Sequence, residues 1–398
     1  MRRYHALDAL RAAMMFLGIY LHAVAAYTPE AGWTWKQEEL TRSLLWSISV
    51  IHVFRMPMFY AMAGFFTALL LARYGLRRAA WNRFMRIAVP FVVGWMIVWP
   101  LTMFLAGLGY FGLDRTLLGF ASGRVFAYAH PMHLWFLEYL IVLYLLAAVA
   151  IVVVPLLLSE AVRKAALQAF RAIMLSPWAP LALAVPSFGA QLLMPNPWIE
   201  DPPGFIPVFR IVAVYAIPFA FGWLLFLQSD LLETIARRAW LHAGLAVAAS
   251  VAYRLSYGLP FDGAVLFYVI RGVHAVAEWV LIFGVAGLFL RYLGGYSAYG
   301  RYLCDSSYFL YIAHAPLILV FQLLLRDVAL PPLAKIFIVL AGTIAVLLPV
   351  YRFAVRPTFI GAVLNGRRYP STIGPVLENG PHLEAHRLED PRAQDAVH

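Results

Sequence analysis

The sequence predicts an all-α, polytopic membrane protein with about ten transmembrane helices and both termini cytoplasmic, on three observations. First, 63% of the 398 residues are hydrophobic and 13% charged, with a mean hydropathy of +0.76. Soluble domains carry about 25% charged residues, so an ordinary soluble enzyme and a disordered chain are both excluded. Second, apolar stretches of helical length, about 20 residues per crossing, recur along the chain. Third, Lys and Arg alternate between loops as the positive-inside rule requires. The net charge of +11 does not mark a nucleic-acid partner, because the 31 Lys and Arg are dispersed between the apolar spans. The single cysteine, Cys304, excludes a disulfide framework and thiolate-rich metal sites.

In chain order the spans are expected at residues 10–27, 44–72, 87–107, 132–158, 177–194, 207–227, 240–257, 265–290, 303–325 and 333–354. Each is longer than the roughly ten alternating residues of a barrel strand. The first follows Arg2 and Arg3 without a small-residue cleavage pattern, so it reads as a retained helix. Most cations then fall at the N-terminus, in every second loop and in the tail. The richest inner loop holds Arg73, Arg77, Arg78, Arg83 and Arg86. The opposite loops hold only Lys36, Arg42, Arg115, Arg124, Arg254 and Arg326, and the first of them is acidic through Glu30, Glu38 and Glu39. Residues 1–355 read as one transmembrane domain. Residues 356–398 read as a cytoplasmic tail, flexible beyond about residue 365, where Pro, Gly and charge replace the apolar pattern.

An ionisable side chain at membrane depth costs about 2.5 kcal/mol or more, so each one needs protein or water as a partner. Arg11 and His22 are separated by three helical turns plus about 20°, which sets them on one face about 16 Å apart along the axis. Asp8 can cap that helix and Arg11 can snorkel, which leaves His22 as either a structural hydrogen-bonding group or a functional imidazole. His52 and Arg55, at i and i+3, precede Pro57, which permits a local opening of the second helix. Arg55 is either half of a buried ion pair or a fork of donors for a phosphate, a carboxylate or an oxyanion. Arg83 and Arg86, one turn apart, suit lipid headgroups or an anionic, nucleotide-like ligand. The fourth span opens with His133 near the outer interface and Glu138 deeper. Arg271, His274 and Glu278 read as a self-satisfied stripe in which Glu278 offsets Arg271. In the ninth span Ser306, Ser307 and Tyr308 precede His314 and Pro316. No HExxH, paired-histidine spacing or acidic cluster supports a metal, and there is no GxSxG, Walker or dinucleotide fingerprint.

Taken in order, LDALRA with its following histidine, HVFRMPMFYAMAGFF, the arginine loop ending RFMRIAVPF, HLWFLEY and SSYFLYIAHAPL resemble the membrane acyltransferase-3 family, and within it the glucan succinyltransferase branch. The resemblance runs to about residue 355. It implies a multi-pass enzyme of the bacterial inner membrane that moves an acyl group from cytoplasmic acyl-CoA to a hydroxyl of a periplasmic glucan. Succinyl-CoA is the implied donor, with no tightly bound cofactor and no metal. His22 matches the family's first-helix histidine, Arg11 its partner arginine, and Arg83 and Arg86 the basic pair ahead of the third helix. Arg55, His133 and His314 match the branch motifs, and Glu138 and Ser307 lie inside the same motifs as candidate supporting groups. Two departures are visible. Ala63 stands where the family commonly has serine, so no hydroxyl nucleophile acts there, and Glu138 replaces an apolar residue, which bears on acceptor or acyl preference. The implied chemistry has His22, with an ordinary pKa near 6.5, as general base and Arg55 or Arg11 at the oxyanion; acylation of His22 itself is the variant. Transfer to another envelope glycan or a small molecule is an alternative. So is a secondary transporter, although the inverted repeat of that class is not visible.

Overall fold

The computed structural model describes residues 4–28, 33–37, 41–42, 44–196 and 198–373. Arg2, Arg3, the acidic Glu30, Glu38 and Glu39, and the tail past residue 373 lie outside the described residues. Among the described residues there are helices and no strands: α1 (His5–Ala25), α2 (Leu45–Arg83), α3 (Val89–Ala121), α4 (Trp135–Leu157), α5 (Glu160–Leu175), α6 (Ala179–Gln191), α7 (Phe209–Leu227), α8 (Leu231–Arg237), α9 (Ala239–Ser256), α10 (Gly263–Tyr292), α11 (Ala298–Leu324), α12 (Pro332–Val350) and α13 (Phe359–Asn365).

All ten expected spans coincide with helices. Seven helical runs are long and apolar enough to cross a membrane, and one of these, Leu45–Ala121, is α2 and α3 joined through a π-helical turn at Phe84–Ala88. The helices α6 and α9 fall outside the seven. With 13 residues, α6 rises about 20 Å against a hydrocarbon core about 30 Å thick. Two helices run past their expected ends. The residue that lets α2 do so is Gly75, whose φ of 70° and ψ of 172° bend the chain toward the arginine-rich turn. Three short helices were not legible as spans. Of these α5 is amphipathic: Ser159 caps it by accepting from the Val162 N–H, Lys164 pairs with Glu160 at 2.6 Å, and only Phe170 and Met174, one turn apart, are buried.

Packing gathers the polar spans at the centre. Helix α1 lies against α11, α2 and α10; α11 also packs on α3 and α12, and α10 on α9, α6 and α8. The closest approach is between α2 and α7, where Gly64 meets the Phe219 carbonyl and Gly222 meets the Ala61 carbonyl with no room for a Cβ on either side. Small residues that let backbones touch are how helices associate in lipid, where burying apolar surface gives no drive.

Candidate active site

Three imidazoles from three segments meet near the C-terminal end of α1. His22 sits in the last turn of α1 and is half-buried. Its ring stacks on that of His314 from α11, with centroids 5.1 Å apart and planes 29° apart. His133, just ahead of α4, lies 5.9 Å from His22 and 4.7 Å from His314. Trp33 also stacks on His22 at 4.7 Å. Trp33 is fixed through Nε1, which donates to Oε1 of Gln322 at 2.9 Å, and the fully buried Gln322 amide lies 3.4 Å from the carbonyls of His22 and Ala23.

The local sequence explains how His133 and His314 are held. Pro316 has no N–H, so the Ile312 carbonyl one turn earlier loses its helical partner. His133 Nε2 fills that gap, donating to the carbonyls of Tyr311 at 3.1 Å and Ile312 at 3.3 Å, while the Tyr311 hydroxyl donates back to the His133 carbonyl at 2.7 Å. To bring the ring there, Met132 adopts a left-handed φ of 53°, a conformation that costs a non-glycine residue about 1–2 kcal/mol. His314 Nδ1 donates along its own helix to the carbonyls of Tyr311 at 2.7 Å and Leu310 at 3.1 Å.

Arg55 of α2 joins this group. Its guanidinium packs on Gly18, one helical turn before His22, where any Cβ would stand 3.5 Å from Cζ and closer still to Nη1. It lies within electrostatic reach of His22, His52, His133 and His314, and its buried Nε has no hydrogen-bond partner. Across from it stands Asp201, in the segment joining α6 to α7. The neighbouring Glu200 anchors that segment by accepting from Arg210 at 2.9 Å. Asp201 and His52 are exposed, so the water-accessible edge of the site lies beside Arg55. Desolvation raises the Asp201 carboxyl above the ordinary carboxylate range, and Arg55 pulls against that rise.

The other end of α1 holds a separate cationic group. Arg11 pairs with Asp8 at 3.3 Å. Arg83 donates to the Thr67 hydroxyl at 3.2 Å and lies over the Tyr144 ring, beside a cavity of about 180 Å³ that Trp223 of α7 also borders. Arg86 donates twice to the Leu364 carbonyl, at 3.3 and 3.0 Å, and so ties α13 to the bundle. Arg11 and Arg83 both lie within electrostatic reach of Arg86.

Of the candidates read from sequence, then, His22, Arg55, His133 and His314 come together, and Arg11 joins Arg83 and Arg86 instead. Arg11 shares a stripe with His22, but the helical rise of about 16 Å separates them, so Arg55 is the guanidinium beside the imidazole. Ser307 donates to the Cys304 carbonyl within its own helix at 2.9 Å. Glu138 is buried in the first turn of α4, beside Tyr139. The stripe on α10 is not self-satisfied. Two turns, about 10 Å, separate Glu278 from Arg271; Glu278 accepts from Gln191 at 2.9 Å and Ser187 at 3.5 Å, whereas Arg271 donates to the Trp198 carbonyl at 3.3 Å. Sequence reasoning missed Gly18, Met132, Asp201 and Gln322. Gly18 carried a signal, since it stands four residues before His22 on the same face. Among the described residues no group of three or more His, Cys, Asp or Glu is placed to hold a metal.

A helical membrane bundle that gathers three imidazoles and a guanidinium from separate helices at one end, with a second set of arginines at the other, is the architecture of a membrane-embedded enzyme. Comparison with known proteins gives its kind: the chain belongs to the acyltransferase-3 family, whose sequence model, described as an acyltransferase domain, matches residues 4–352. It is a membrane O-acyltransferase. Among curated proteins it is similar to the glucans biosynthesis protein C of Salmonella paratyphi B and of Salmonella enteritidis PT4, 27% identical over 334 residues, covering 80% of this chain and 83% of the relative. The Salmonella gallinarum protein of the same name is 26% identical over 331 residues, with the same coverage. No solved structure matches the chain.

Proposed function

We propose that the protein transfers an acyl group, succinyl in the first instance, from cytoplasmic acyl-CoA to a hydroxyl of a periplasmic glucan, with His22 as the general base. The observation that carries this reading is the meeting of His22, His133 and His314 with Arg55, with the Arg11, Arg83 and Arg86 group about 16 Å further along α1. The arginine end faces the cytoplasm, since the cation-rich loops lie on that side, and the membrane is the bacterial inner membrane. There the guanidinium groups of Arg83 and Arg11 hold the donor's phosphates, while Arg86 keeps α13 in place. The rise of about 16 Å between Arg11 and His22 is bridged by the extended pantetheine arm, which brings the thioester to His22.

The proton path is short. His22 takes the proton of the sugar hydroxyl as its oxygen attacks the thioester carbon. Arg55 opposes the charge gathering on the carbonyl oxygen. The carbon–sulfur bond then breaks and the leaving thiolate takes the proton back from His22. The names of the curated relatives support glucan as the acceptor.

Purified protein in detergent, given succinyl-CoA or acetyl-CoA with and without periplasmic glucan, tests this through free CoA. Glucan-dependent release with succinyl-CoA is the expected result. Release from neither donor, or release indifferent to glucan while another envelope sugar is acylated, would overturn it.

A further inference from the structure

Ring nitrogens are distinguished by what they bond. A backbone carbonyl only accepts, so His133 Nε2 and His314 Nδ1 must both carry hydrogen. In the neutral rings the other nitrogens, His133 Nδ1 and His314 Nε2, are therefore bare lone pairs. Both are buried and neither has a hydrogen-bond partner. A second proton on either ring would set a cation against the others and against Arg55, so the bare state is the one this enclosure favours.

Two buried acceptors without donors are unfavourable unless something nearby supplies hydrogen. The imidazole beside both rings is His22, centred 5.1 Å from one and 5.9 Å from the other. We infer that His133 and His314 are positioning residues, whose tautomer-fixed lone pairs draw the one N–H of neutral His22 to their side and so turn its other nitrogen toward the hydroxyl. This rests on His22 being the base. The nitrogen that takes the hydroxyl proton must face the substrate, so a neutral imidazole has a single N–H for the two lone pairs, and the hold they exert strengthens as His22 becomes imidazolium in the transition state. No proton passes to His133 or His314. The one that His22 takes from the alcohol leaves with the thiolate. The strained Met132 and Pro316, which leaves the Ile312 carbonyl free inside α11, together set the His133 ring and have a purpose in this arrangement that packing alone does not give them.

The test uses the difference between Asn and Gln, whose amides fall near the Nδ1 and Nε2 places of a histidine ring. His314→Asn keeps the anchoring bond and deletes the lone pair, whereas His314→Gln offers an acceptor where Nε2 stood and loses the anchor. At position 133 the roles are exchanged. In membranes with matched protein levels, His314→Asn and His133→Gln should lower kcat by about 10- to 100-fold, the range seen when hydrogen-bond partners that orient a metal-ligating imidazole are removed. His314→Gln and His133→Asn should lose less, with KM for acyl-CoA and glucan unchanged throughout. A purely structural role predicts the reverse order at both positions, and the reverse order or equal losses in all four would overturn the inference. His22→Ala, measured alongside, separates the two ideas. If it stays active, the base reading fails and takes this one with it; if it is inactive while the order is reversed, the positioning role alone fails.

Discussion

Gly18→Ala asks how Arg55 is seated. A methyl group built on Gly18 falls inside contact distance of Arg55 Nη1, so the guanidinium must withdraw by about 1 Å to regain the ~3.5 Å at which non-bonded atoms are comfortable. The far end of an arginine can move that distance without disturbing the backbone. Alanine is also the better helix former by about 1 kcal/mol, so α1 should be no less stable than before. Misplacing a group that acts on the transition state by about 1 Å lowers rate on the order of 100-fold, or about 2.7 kcal/mol of barrier at 1.36 kcal/mol per decade. The assay is glucan-dependent CoA release together with the thermal midpoint in detergent. Activity should fall by about two decades while the midpoint holds or rises. In an Arg55→Ala background the same substitution should cost nothing further, because its effect passes entirely through that side chain. Full activity in Gly18→Ala, or an equal added loss in the Arg55→Ala background, would refute the reasoning.

The contact between α2 and α7 should behave in the opposite way. Gly222→Ala sets its methyl against the Ala61 backbone, which cannot swing aside, so about 1–3 kcal/mol of stability is lost; an unchanged thermal midpoint would contradict this. Met132→Val places a β-branched residue at a φ of 53° and should lower both stability and kcat, whereas Met132→Asn, which tolerates that region, should keep both; thermal melts and CoA release distinguish them. Arg83→Ala should raise KM for acyl-CoA and leave KM for glucan alone. Arg86→Ala, which frees the Leu364 carbonyl, should expose residues 351–373 to protease, and equal effects of the two substitutions on KM would count against the division of labour.

How much of this could be read from the chain alone varies with the kind of information. Each of the ten apolar stretches became a helix, because backbone satisfaction in lipid leaves no other choice. Arg11 and His22 share a face in the structure for the reason their spacing gives. What spacing along one helix does not reveal is the company each residue keeps from other helices. Glu278 looks like the counter-charge of Arg271 on a helical wheel, yet Ser187 and Gln191 of α6 claim it. Arg86 looks like a ligand group beside Arg83, yet a carbonyl at the end of α13 occupies it. Asp201 sits in a Pro-rich connection with nothing to mark it, and only the fold carries it to Arg55. The short amphipathic α5 was hidden because its buried stripe amounts to two residues.

Transfer across a sealed bilayer is the most direct measurement. Proteoliposomes with glucan trapped inside and labelled succinyl-CoA outside should accumulate labelled glucan in the lumen when the cytoplasmic face points outward, and the His22→Ala protein at the same density should accumulate none. Label entering glucan at the normal rate in the His22→Ala vesicles, or only when donor and acceptor are placed on the same side, would contradict the proposed route.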